Sequence, residues 1–69
     1  MNDLQTRLLD AHARDDRAAL VRLYTEAADT ANDVDAACFF LTHAYIFGLE
    51  LDHPDVPVLH ARLAAEGRV

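Results

Sequence analysis

Lysine is absent from this chain. Its positive charge comes from six arginines alone, set against twelve acids, for a net charge of −6. A chain with that balance lacks the basic face that nucleic acid requires, and anionic membrane surfaces would repel it. The acidity leaves room for a basic partner patch, although charge of this kind more often serves only solubility. Cysteine occurs once, at Cys38, so no internal disulfide can form. Cys38 lies in an apolar stretch with no cationic residue close in sequence, where a thiol acts as a small hydrophobe rather than a nucleophile. There is no glycine-rich phosphate loop, and no Ser/His/Asp pattern stands out. No segment alternates with period 2, so no strands are expected. The first residues, MNDLQTRLLDAHARDD, lack the basic-then-apolar pattern of a signal peptide, which places the expected location in the cytoplasm.

With 69 residues beginning at Met1, the chain reads as one complete small domain. A domain of this size buries only about 60% of its unfolded surface. Yet 52% of its residues are apolar. Apolar material left over from one small core would have to enter an interface, because small domains without disulfides or metals rely on tight helix packing or self-association.

The most apolar run is AACFFLTHAYIFGLEL, Ala36 to Leu51, in which only Thr42, His43 and Glu50 are strongly polar. A helix that is apolar nearly all round needs neighbours on most sides. The run is shorter than the roughly 20 apolar residues that span a bilayer, so it is expected to be the central helix of a small soluble helical protein.

Four helices are legible. The first spans about Asp3 to Ala13, with Leu4, Leu8 and Ala11 at helical spacing and Leu9 beside them. Asp15 and Asp16 break it and offer a cap to the second, Arg17 to Ala31, whose stripe is Leu20, Leu23, Tyr24, Ala27, Ala28 and Ala31. Asn32, able to take a left-handed conformation, and Asp33, a good cap, separate it from the third helix, Val34 to Leu51. There Ala37, Phe40, Leu41, Ala44, Gly48 and Leu51 share one face, with Cys38, Tyr45 and Leu49 flanking it. Gly48 costs about 1 kcal/mol relative to alanine inside a helix, and close approach of another helix would explain it. The turn Asp52-His53-Pro54-Asp55 leads to a fourth helix, Val56 to Glu66, capped by Asp55, with Val56, Leu59 and Leu63 inward and Gly67 suited to its end. The short connections favour antiparallel neighbours in an all-α fold.

The joint NDVDAA, Asn32 to Ala37, followed by Leu41, Tyr45, Gly48 and the segment GLELDHP ending at Pro54, resembles the helix-turn-helix unit of the tetratricopeptide-repeat (TPR) family. Asn32 stands where that repeat usually has Gly, and Gly48 where it has Ala. The resemblance covers the middle half of the chain. It implies a TPR-like hairpin flanked by halves of neighbouring repeats, and an interaction module that binds protein segments.

Chemistry-bearing groups are sparse. His53 and His60 straddle the last turn near Asp52 and Asp55, but the spacing fits neither HExxH nor a zinc finger, so no metal or other cofactor is expected. A metal-responsive or regulatory binder using His43, His53 and His60 stays as the alternative. Asp29, Asp33 and Asp35 lack the glycine and final glutamate of a calcium loop. His43 and Glu50 lie about 10 Å apart along one helix, too far to share a proton, and a chain this small leaves little room for an enzymatic pocket. An enzyme is not expected. Phe39, His43, Ile46 and Glu50 share the helix face opposite the core, an apolar strip with polar edges of the kind that forms interfaces. These four are the candidate partner-binding residues, and a homodimer is the simplest use of them.

Overall fold

A computed structural model describes residues 3–69. Its elements are α1 (Asp3–Ala13), α2 (Arg17–Asp29), α3 (Val34–Leu51) and α4 (Val56–Ala65), with no strand among the described residues. The fold is all-α. Each helix packs against its neighbours in the chain: α1 on α2, α2 on α3, α3 on α4. The Cα atoms span 31 × 28 × 12 Å, so the protein is a plate only 12 Å thick.

Helix ends are set by local hydrogen bonding. Asp16 Oδ1 accepts from the Ala19 amide at 3.1 Å, and Asp33 Oδ1 from the Ala36 amide at 2.8 Å. Each carboxylate thereby satisfies a first-turn amide that has no partner within its helix. Asp55 precedes α4 without a side-chain cap, contrary to the sequence expectation. Its own amide donates instead to His53 Nδ1 at 3.0 Å. Helix α2 stops two residues short of the expected end, and Asn32 is not left-handed. Thr30 closes α2: its hydroxyl donates toward the Glu26 and Ala27 carbonyls at 3.2 and 3.3 Å. The Ala31 amide then bonds the Ala28 carbonyl, tightening the last turn.

The other three helices end through a left-handed residue. At α4 this is Gly67 (φ 71°), and the Arg68 amide reaches back to the Leu63 carbonyl at 2.9 Å. At α1 and α3 the same position holds Asp15 (φ 52°) and Asp52 (φ 54°). Asp52 lets the His53 amide reach the Gly48 carbonyl at 2.9 Å. A residue with a Cβ is strained there, whereas glycine is not. Asp52→Gly is therefore expected to stabilise the fold by about 1 kcal/mol, a rise in Tm of about 4–8 °C for a domain of this size. A thermal melt showing a fall instead would contradict this assignment.

Two clusters make the core. Leu20, Leu23, Ala19 and Ala11 join α1 to α2, with Leu4 and Leu8 half-buried against them. Val21, Ala28, Cys38, Leu41, Ala44, Leu59 and Leu63 join α2, α3 and α4. Val21 falls outside the stripe expected for α2, yet it is fully buried in the cluster that joins α2 to α3 and α4. Ala28 and Ala44 are buried small side chains in the α2–α3 cluster, so they leave room for the two central helices to lie close. A Cβ on Gly48 would lie 3.0 Å from Val56 Cγ2, which explains the glycine by close approach of the start of α4.

Helix α3 is not covered as its composition demands. Only Cys38, Leu41, Ala44 and Gly48 are buried on it. Leu51, expected in the core, is exposed, and Leu49 is 54% exposed. A plate one helix thick can cover α3 only along its contacts with α2 and α4. The helix is also long and apolar enough, by length and composition alone, to cross a membrane. Its 18 residues fall within the range for a span, so, contrary to the sequence expectation, length does not exclude it. In this fold it is the helix between α2 and α4, tied at its C-terminal end by the pair Arg17 to Glu50 at 3.2 Å.

Candidate functional site

Helices α1 and α3 do not pack backbone to backbone, but their side chains meet above α2. Tyr24, on α2, is the meeting point. Its ring stacks on His43 at 5.0 Å and on Phe47 at 6.0 Å, both from α3, and lies edge-on to His12 of α1 at 5.9 Å. The Tyr24 hydroxyl is 2.9 Å from His12 Nε2. Burial pushes the Tyr24 phenol above its ordinary pKa. At neutral pH the hydroxyl keeps its proton and can donate it to a neutral His12 ring.

His43 is half-buried between Tyr24 and Phe39, whose ring centroid lies 4.5 Å away. His43 Nδ1 is 2.9 Å from the Phe39 carbonyl oxygen. A carbonyl only accepts, so Nδ1 carries the proton, and Nε2 is the acceptor of the neutral ring.

Of these side chains, His12, Tyr24, Phe39 and His43 line an open groove of about 690 Å³ between α1 and α3, floored by α2. Leu9 on α1 and Phe39 on α3 both line it, and they are 64% and 59% exposed. Polar ends are provided by Gln5, Thr30, Asn32 and Asp33. Among the described residues that line it, Asp33 is the one with a formal charge when the histidines are neutral. In the whole chain 26% of residues are charged, so this face is depleted of charge, which marks the centre of interfaces rather than ordinary surface.

The structure divides the strip expected on α3. Phe39 and His43 line the groove; Ile46 and Glu50 do not. Ile46 is 50% exposed, and Glu50 is held by Arg17. Leu9, His12 and Tyr24 join the groove instead. By sequence, Leu9 lies beside the α1 stripe and Tyr24 within the α2 stripe. Their convergence depends on where α3 crosses over α2, which no local pattern shows. The available signal was a leucine and a histidine three apart on the flank of an amphipathic helix.

The other histidines lie elsewhere. His53 accepts from the Asp55 amide, and His60 packs near Tyr45 at 5.9 Å between ring centroids. Among the described residues no group of three or more His, Cys, Asp or Glu side chains could hold a metal ion. The acids between α2 and α3 are dispersed as well. Asp29 pairs with Arg62 at 2.8 Å, Asp33 caps α3, and Asp35 pairs with Arg68 at 2.6 Å.

Compared with protein-family models, with curated proteins and with solved structures, the chain matches none. The functional reading therefore rests on the groove itself.

Proposed function

We propose that this protein is a non-catalytic, TPR-like interaction module whose docking surface is the groove between α1 and α3. The observation that carries this is the pair of large apolar side chains, Leu9 and Phe39, left exposed on the banks of a charge-poor groove. Such residues add little to folding when exposed, and apolar anchors beside a concavity are what protein partners bury. The order of packing supports the TPR-like part of the reading. Each helix meets the next along the chain, and alternate helices α1 and α3 frame a concave face, as repeats of stacked helical hairpins do.

The test compares retention of soluble protein, from a cell lysate to which the soluble wild-type chain has been added, by immobilised wild-type chain and by the Leu9→Asp, Phe39→Asp double variant. The expected result is a retained protein that the variant loses while its helical circular dichroism is unchanged. Identical retention by both would contradict the groove as the docking surface.

A further inference from the structure

We propose that the occupant of the groove is a second copy of this chain, docked about a twofold axis so that Phe39 of each protomer enters the groove of its partner. This rests on the groove being a docking surface, and it names the partner.

Charge is the first argument. Each chain carries a net −6, so two copies repel unless they meet where charge is missing. The groove face is such a place. The carboxylate of Asp33, the single charged side chain among the described residues of the groove, accepts from the Ala36 amide at 2.8 Å. A basic partner would find one acid among the described residues of the groove, already engaged as a helix cap. The surface that fits is itself uncharged and apolar, with an aromatic side chain to insert and a hollow to receive one. The groove face has both.

Area is the second argument. A broad face of the plate, 31 × 28 Å, covers roughly 870 Å² as a flat rectangle, and a standard stable interface takes about 800 Å² from each partner. Contact over that one face is enough for a dimer. Twofold symmetry is the form in which one surface serves both partners, and it uses each exposed Phe39 and Leu9 twice.

Sedimentation equilibrium from micromolar to millimolar concentration tests this on the full chain. The expected result is twice the chain mass for wild type. Phe39→Asp on one bank and Leu9→Asp on the other are each expected to weaken the dimer by roughly 100-fold, since the twofold axis removes two anchors per substitution. Ile46→Asp, on the same face of α3 but beyond the end of the groove, is expected to weaken the dimer far less than either. All three positions are exposed, so the variants are expected to keep wild-type helical content. A wild-type monomer throughout the range overturns the self-docking proposal. If the lysate comparison still shows groove-dependent retention of another protein, the docking surface stands and that protein is its occupant. A wild-type dimer broken by Ile46→Asp but not by Phe39→Asp or Leu9→Asp overturns the proposal in favour of the outer face of α3.

Discussion

Leu59→Ala is expected to cost the fold about 3 kcal/mol, the largest effect of any single truncation considered. Leu59 is 1% exposed and packs in the cluster that joins α2, α3 and α4. Helix α4 packs directly on α3 alone, and Leu59 and Leu63 are the two side chains it buries fully. The ion pairs that tether the C-terminal region, Arg62 to Asp29 and Arg68 to Asp35, have side chains 37–89% exposed and contribute little beside burial. Removing the leucine leaves a hollow between α4 and the hairpin that the rigid central helices can fill only in part. A chain of this length has a total stability of about 3–10 kcal/mol, so the loss is a large share of it. In a thermal melt the shift is expected to be a fall of roughly 12–24 °C. A change equivalent to less than about 1 kcal/mol would mean that Leu59 is not sealed in the core.

The second large effect is expected at Gly48. A Cβ there meets Val56 Cγ2 at 3.0 Å, His53 Cβ at 3.7 Å and Leu59 Cδ1 at 3.9 Å. Alanine gains about 1 kcal/mol of helix propensity and gives it back by pressing on Val56, so the net change is small. Valine adds two further carbons to a space already closed. Gly48→Val is expected to destabilise by about 2–3 kcal/mol. Val56→Ala in the same background removes the atom in closest contact and is expected to restore about 1 kcal/mol or more, a coupling that urea melts of the four chains measure. Additive losses in that cycle would show that the turn at 52–55 does not bring α4 against Gly48.

The same positions show how much the sequence discloses. The four helices, their order and the role of Gly48 were legible because period 3.6, acid caps and turn residues act over a few neighbours. The bounds of α1 and α3 match the expectation residue for residue. The end of α2 was misplaced because the Thr30 hydroxyl, rather than Asn32, closes the helix. The burial of Val21 is not legible in the α2 pattern because the cluster that encloses it is completed by residues of α3 and α4, remote in sequence.

The candidate site was half legible for the same reason. The spacing of Phe39 and His43 puts them on one face of α3, and that much can be read locally. Ile46 and Glu50 share the face by periodicity, but the groove ends before them. Leu9, His12 and Tyr24 enter only through the packing of three helices. The contact of His12 with Tyr24 spans a turn and twelve positions of sequence, and no local pattern announces it. What composition did disclose was the excess. A chain with this apolar fraction, laid out as a thin plate, must leave apolar side chains on its broad faces.

The central claim is that the α1/α3 groove face is where this protein docks, and backbone amide shifts followed through a dilution series test it most directly. The account expects concentration-dependent shifts concentrated at Leu9, His12, Phe39 and His43, with Val58 and the 52–55 turn unmoved. Shifts centred on Ile46 and Leu49 with the groove silent would contradict it.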